Sequence, residues 1–271
     1  MRKFLVCVDS DGTAMDTMNI KHFQCFGPIL TEVFGLLAER EMALALWNRV
    51  NLYAATRGIN RFSGLALVLG KIQEEVRPVE GLEGYLCWTK ETGELSNRAL
   101  REALEQSGNI CMRRALDWSE KVNEAIGKLP ASESGPFPGA ADSLKLTKEY
   151  ADIAVVSSAN PEAVAHEWEY HGLSPYVDMV YAQDAGTKKE CISKLCRMDY
   201  APGGILMIGD APGDLEAAVH NGVFFYPILV GKERESWQEY REEGLGRLLG
   251  GTFAGAYQSG LIERFWGNLE K

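Results

Sequence analysis

The sequence predicts an α/β protein with a parallel sheet and a separate helical insertion near its N-terminus. Three observations carry this. Short, uninterrupted apolar runs recur, each ending in a polar loop, as expected for strands buried on both faces. Helical patterns separate those runs, and strand alternating with helix is the signature of a parallel sheet. Between the first and second runs lies a long segment in which strands are scarce and helical periodicity is strong.

Taken in order, residues 4–8 (Phe-Leu-Val-Cys-Val) form the first predicted strand, stopped by Asp9-Ser10-Asp11-Gly12-Thr13. Residues 16–135 read as the inserted helical domain. Ile29, Leu30, Val33, Phe34 and Leu37 fall at helical spacing, as do Leu44 and Trp47, then Leu65, Leu69 and Ile72. Further helices are marked by Leu100, Ala103 and Leu104 and by Leu116, Val122 and Ile126. Residues 130–139 are dense in Pro, Gly and Ser and read as a hinge or linker. Strands follow at 153–156, more weakly at 177–181, and then at 205–208 and 224–230. Helices are expected at 161–171, 189–197 and 214–221, the last with Gly222 as its C-cap. The expected division is therefore 1–15 with 136–271 as the sheet domain, and 16–135 as the insertion. In a parallel sheet, ligands sit beyond the C-terminal ends of the strands.

Composition narrows the function. The chain has 271 residues, and Lys+Arg 28 against Asp+Glu 38 gives a net charge of −10, a field that repels phosphate backbones. Nucleic acid is not an expected partner, and no apolar stretch approaches the ~20 residues of a membrane span. The six cysteines are scattered without C-x-x-C pairs or zinc-type spacing, so reduced thiols are expected. The apolar run at 4–8 is too brief for a signal-peptide core. A cytoplasmic monomer or homodimer is the expectation.

The polar loops carry the chemistry. Asp9 and Asp11 alternate at the end of a strand, where simple pleat geometry sends both side chains the same way. Gly12 permits a turn whose N–H groups can cradle phosphate oxygens, with Ser10 beside it. Asp210 and Asp214 follow a later strand at the same sheet edge. Carboxylates converging in this way repel one another unless a hard cation such as Mg²⁺, which prefers oxygen ligands, lies among them. Ser157 offers a hydroxyl, and Lys188 or Lys189 offers a charge that can offset carboxylate and phosphate; the helix that follows favours Lys188. Together these residues describe a site for a small phosphorylated substrate.

Asp9-x-Asp11-Gly12-Thr13, Ser157, Lys188 and Gly209-Asp210-x-x-x-Asp214 stand in the order of the four motifs of the haloacid dehalogenase superfamily, which this sequence resembles. The resemblance covers roughly residues 1–15 and 136–230 and points to the branch that holds β-phosphoglucomutase and phosphoglycolate phosphatase. It implies a Rossmann-like core with the helical insertion as a cap. It also implies phosphoryl transfer in which Asp9 is the nucleophile and Asp11 the general acid and base. Ser157 and Lys188 would bind the phosphoryl oxygens. Mg²⁺ would be held by Asp9, the Asp11 carbonyl, Asp210 and Asp214. Members that cleave carbon–halogen or carbon–phosphorus bonds lack the second aspartate, so Asp11 implies a phosphatase, with a sugar-phosphate mutase or a noncatalytic phosphate sensor as alternatives.

Substrate choice is expected in the insertion. Arg57 and Arg61 flank Gly58 and Asn60 there, as anion contacts or as charges of a solvated turn. Ser158 and Asn160 follow the motif serine; Asn160 precedes Pro161 and reads equally as a substrate contact or a helix N-cap. Trp237 and Tyr240 read as docking contacts of a terminal helix.

Overall fold

A computed structural model describes residues 2–270. The chain divides into two compact units, one formed by the residues up to Met18 together with those from Ala131 onward, the other by Asn19–Pro130.

The first unit is built on five parallel strands, β1 (Phe4–Val8), β2 (Ala151–Val156), β3 (Met179–Tyr181), β4 (Ile205–Gly209) and β5 (Phe224–Pro227), in the order β3-β2-β1-β4-β5. β1 is central, with Val8 opposite Val155 on one side and Ile208 on the other. Its residues alternate between two cores. Val6 and Val8 join Trp168, Trp237 and Tyr240, whereas Leu5 and Cys7 join Ile192, Leu215 and Phe265. Helices cover both faces of the sheet, which is why these strands read as continuous apolar runs. Asp9, Ser157 and Asp210 each follow the last residue of one of three neighbouring strands. This registry brings three distant loops to one edge.

Several boundaries differ from the sequence reading, each for a local reason. β5 stops at Pro227, opposite Gly209 where β4 itself ends, with one last bond from the Ile228 N–H to Gly209 O at 2.8 Å. β3 is shorter than expected because Asp178 substitutes for strand pairing: its carboxylate accepts from the Ile153 N–H at 2.8 Å and its own N–H reaches Ile153 O at 2.9 Å. The stretch expected to be a linker is hydrogen-bonded instead. Asp16 N–H donates to Gly135 O at 2.8 Å, Phe137 N–H donates to Ala14 O at 2.9 Å, and Met15 bridges Pro136. A helix, Ala140–Tyr150, then leads into β2.

The second unit is built of helices packed around Trp47, Trp118, Tyr85 and Phe62. The longest are Arg61–Glu75 and Ile110–Gly127, begun by the side chains of Asn60 and Asn109, which accept backbone N–H groups of the first turn. Two π-helical turns, His22–Phe26 and Arg49–Tyr53, bracket the Trp47 helix. Trp47 Nε1 donates to His22 Nδ1 at 2.9 Å, and Trp118 Nε1 donates to Phe26 O at 3.1 Å. Among the described residues no helix is long and apolar enough to cross a membrane.

Candidate active site

β1 ends at Val8, so Asp9 and Asp11 lie in a loop and pleat alternation does not set their directions. Asp9 is buried and tied to β4 by its N–H, which donates to Ile208 O at 3.0 Å. The loop then curls on itself: the Ser10 carbonyl accepts from Ala14 at 3.0 Å and Met15 at 2.9 Å. Gly12 makes this possible with φ 81°, a left-handed conformation that other residues rarely adopt. Its own N–H is spent on Met15 O at 2.8 Å, so Gly12 contributes its conformation to the turn rather than a donor for an anion.

Asp210 begins the loop after β4 and accepts from the Thr13 hydroxyl at 2.5 Å. Asp214 lies in the first turn of the helix Pro212–Asn221, where one carboxylate oxygen accepts the Ala211 N–H at 3.1 Å. It approaches β4 so closely that a Cβ built on Gly209 would lie 2.3 Å from the Asp214 Cβ. Only glycine fits there. Lys188 opens the helix Lys188–Leu195, which Thr187 and Glu190 fix through a reciprocal capping box. Its Nζ lies 2.6 Å from Asp214 Oδ1 and 2.9 Å from Asp9 Oδ1. Lys189, one residue on, faces Glu216 at 3.4 Å on the exposed side, so Lys188 rather than Lys189 stands beside the carboxylates.

Asp9, Asp210 and Asp214 each offer an oxygen within 4.8 Å of the others, and all three are buried. One ammonium cannot neutralise three carboxylates. Burial, chiefly, raises the Asp9 carboxyl well above the usual range; Lys188 opposes this, and Asp214 and Asp210 add to it. Asp214 is raised by burial too, again against the pull of Lys188. Burial alone would lower the Lys188 ammonium, but Asp214 and Asp9 more than reverse that and hold it charged. An oxygen-only donor set with surplus negative charge fits a hard divalent cation such as Mg²⁺. The Asp11 carboxylate is outside this group, half-buried, and accepts from the Thr17 hydroxyl.

The remaining residues singled out in the sequence fall as follows. Ser157 is buried after β2, its Oγ accepting from Ala159 N–H at 3.1 Å. Ser158 is exposed, and Asn160 caps its helix by accepting from Glu162 at 3.0 Å and Ala163 at 3.1 Å. Ser10 is fully buried and its Oγ accepts from Trp168 Nε1 at 2.9 Å, so its hydroxyl faces the core. Arg57 is buried rather than part of a solvated turn, and donates to Leu52 O at 2.7 Å. Arg61 donates to the Ser119 hydroxyl at 3.1 Å and to Asn123 Oδ1 at 2.6 Å, with its guanidinium 5.1 Å from the Phe26 ring centre. Sequence reasoning assigned no role to Thr13 or Trp168. Trp237, expected as a docking contact, also donates from Nε1 to Thr13 O at 3.0 Å.

In a parallel α/β sheet ligands bind beyond the carboxyl ends of the strands, which is where these carboxylates and the lysine stand. The family model for haloacid dehalogenase-like hydrolases matches residues 76–228, more than half of the chain, and the chain belongs to that family. The match takes in Ser157, Lys188, Asp210 and Asp214; Asp9 and Asp11 precede it. Among curated protein sequences, none matches. Solved structures that are similar include a predicted phosphoglycolate phosphatase from Haemophilus somnus, at 15% identity over 84% of this chain and 86% of that one, TM-score 0.49. A hydrolase from Pseudomonas syringae is 14% identical over 86% of this chain and 90% of the other, TM-score 0.49. A haloacid dehalogenase-like family hydrolase from Streptococcus pneumoniae is 13% identical over 87% and 90%, TM-score 0.45. Similarity of this size assigns no substrate to this chain.

Proposed function

We propose that this protein is a Mg²⁺-dependent phosphatase that hydrolyses a small phosphorylated metabolite through an aspartyl-phosphate on Asp9. The observation that carries the reading is the Asp9 carboxylate, at the end of the central strand, 2.9 Å from Lys188 and grouped with Asp210 and Asp214.

In this reading an Asp9 carboxylate oxygen attacks phosphorus, the P–O bond to the leaving group breaks, and Asp11 gives its proton to the departing alkoxide. Asp11, now ionised, takes a proton from water as that water attacks the phosphorus of the acyl phosphate. The P–O bond to Asp9 breaks, and inorganic phosphate leaves. Lys188 and Ser157 face the nonbridging oxygens, where charge shifts as the phosphoryl group passes across. Asp9, the Asp11 carbonyl, Asp210 and Asp214 would hold Mg²⁺, which would supply positive charge to offset the Asp9 carboxylate and the phosphate. Asp11 favours phosphate esters over other substrates of the fold, because an alkoxide leaving group needs the proton. We propose further that the helical unit, Asn19–Pro130, carries the choice of leaving group.

The test is phosphate release from phenyl phosphate and from a panel of sugar, nucleotide and short-chain phosphates, with Mg²⁺ or with chelator. Release that requires both Mg²⁺ and Asp9 is expected. Release that survives Asp9→Asn would overturn the reading, and binding of phosphate without turnover would make the protein a sensor.

A further inference from the structure

The loop that carries both catalytic aspartates is held by two tryptophans from elsewhere in the chain. Residues 9–15 contain a glycine at positive φ and are held by their own turns, by the Asp9 N–H on Ile208 O and by the Phe137 N–H on Ala14 O. Two buried indoles add bonds at Ser10 and Thr13, the positions between and beyond the two aspartates. Trp168, in the helix Pro161–Tyr170 after β2, donates to the Oγ of Ser10, the residue between the two aspartates. Trp237, in the helix Glu233–Glu239 beyond β5, donates to the carbonyl of Thr13, whose hydroxyl in turn donates to Asp210. Trp237 is itself anchored: it is 0% exposed, its carbonyl accepts from the Ser143 hydroxyl at 3.2 Å, and Tyr240 packs edge-on at 5.8 Å.

We infer that Trp168 and Trp237 are positioning residues for the nucleophile loop, acting through Ser10 and Thr13, and that the segment after residue 228 is thereby part of the catalytic apparatus. An indole N–H only donates, and its ring is rigid, so each bond fixes one direction of the loop. Trp168 sets the residue flanked by Asp9 and Asp11. Trp237 sets the peptide whose side chain holds Asp210. In-line transfer to a carboxylate is sensitive to displacements of the order of 1 Å, and these bonds restrain movement on that scale. The inference rests on Asp9 being the nucleophile.

The test compares Ser10→Ala, Trp168→Phe, the double variant and Trp237→Phe, each as the full chain. With phenyl phosphate and Mg²⁺, each single variant is expected to lower kcat roughly ten- to a hundredfold with KM within about twofold. The double variant is expected to be no slower than Trp168→Phe alone, because the two residues act through one bond. Hydrogen–deuterium exchange of the peptide spanning residues 9–17 is expected to quicken in Trp168→Phe and Trp237→Phe while β2 and β4 stay protected. Unchanged kcat in every folded variant, or unchanged exchange of the loop peptide, would overturn the inference. Ser10→Ala removes a single oxygen and keeps the test open where a tryptophan variant fails to fold. A wild-type protein without Asp9-dependent turnover would sink the phosphatase reading instead, and loop exchange would still decide the role of the indoles.

Discussion

The two units each hold a half-buried cation, and they treat it in opposite ways. In the sheet unit, Lys188 stands among carboxylates; burial pulls its ammonium down, but Asp214 and Asp9 more than reverse this. In the helical unit, Arg61 stands among a hydroxyl, an amide and an aromatic face, and burial lowers its guanidinium to about 10. A cation satisfied by neutral acceptors is a packing element. A cation outnumbered by buried carboxylates belongs to a cluster with surplus negative charge, and that contrast is why the chemistry is proposed for the sheet unit.

The largest expected effect is on the sheet side. Asp9→Asn removes the proposed nucleophile and should lower phosphate release by about 10⁴-fold or more, with near-native far-UV circular dichroism. Lys188→Met should lower kcat by about 10²–10³-fold, measured at saturating Mg²⁺, because charge on the transferred group loses its fixed partner. Gly209→Ala sharpens the contrast from the backbone side. Its Cβ would drive Asp214 away, at a cost of about 1–3 kcal/mol in urea unfolding and with a higher Mg²⁺ requirement.

The helical unit should respond differently. Arg61→Met is expected to lower stability by about 1–2 kcal/mol through its lost bonds to Ser119 and Asn123, with KM unchanged. A raised KM at unchanged stability would instead make Arg61 a substrate contact and break the comparison. The smallest effect is expected at Asp178, beside Lys148 on the sheet unit. Burial works against its ionised form, but the Lys148 ammonium and the Ile153 N–H outweigh it and lower the carboxyl below its usual range. A lowered folded-state value means stability present above the unfolded pKa of about 3.9 and lost as pH falls through the folded one. Asp178→Ala should therefore cost about 1 kcal/mol at pH 7, and the difference in urea midpoint should shrink below about pH 4.

Much of the sheet unit was legible because its strands are buried on both faces and its loops carry charges that need a reason. The five expected strands appear, β3 as the shorter Met179–Tyr181, and Asp9, Lys188, Asp210 and Asp214 come together. Choosing between Lys188 and Lys189 needed coordinates, since adjacent residues on a helix point about 100° apart. The helix Ala140–Tyr150 escaped notice because its buried face is Ala140, Ser143, Leu144 and Thr147, too polar to register as an apolar stripe. Those hydroxyls are satisfied inside, by Gly139 O, Trp237 O and Tyr240. Trp237 meets Thr13 across 224 positions, a contact with no local signature. Arg57 showed the limit of composition: a Gly-flanked arginine read as a surface turn or anion contact, yet it lies buried against Leu52 O.

The most direct test of the central claim is to trap the covalent intermediate. The protein would be mixed with Mg²⁺ and phenyl phosphate, quenched in acid within milliseconds, digested and mapped by mass spectrometry. The account predicts one phosphoryl group on the peptide containing Asp9, absent in Asp9→Asn and absent when chelator replaces Mg²⁺. Turnover with no phosphorylated peptide, or with the phosphoryl group on another residue, would contradict it.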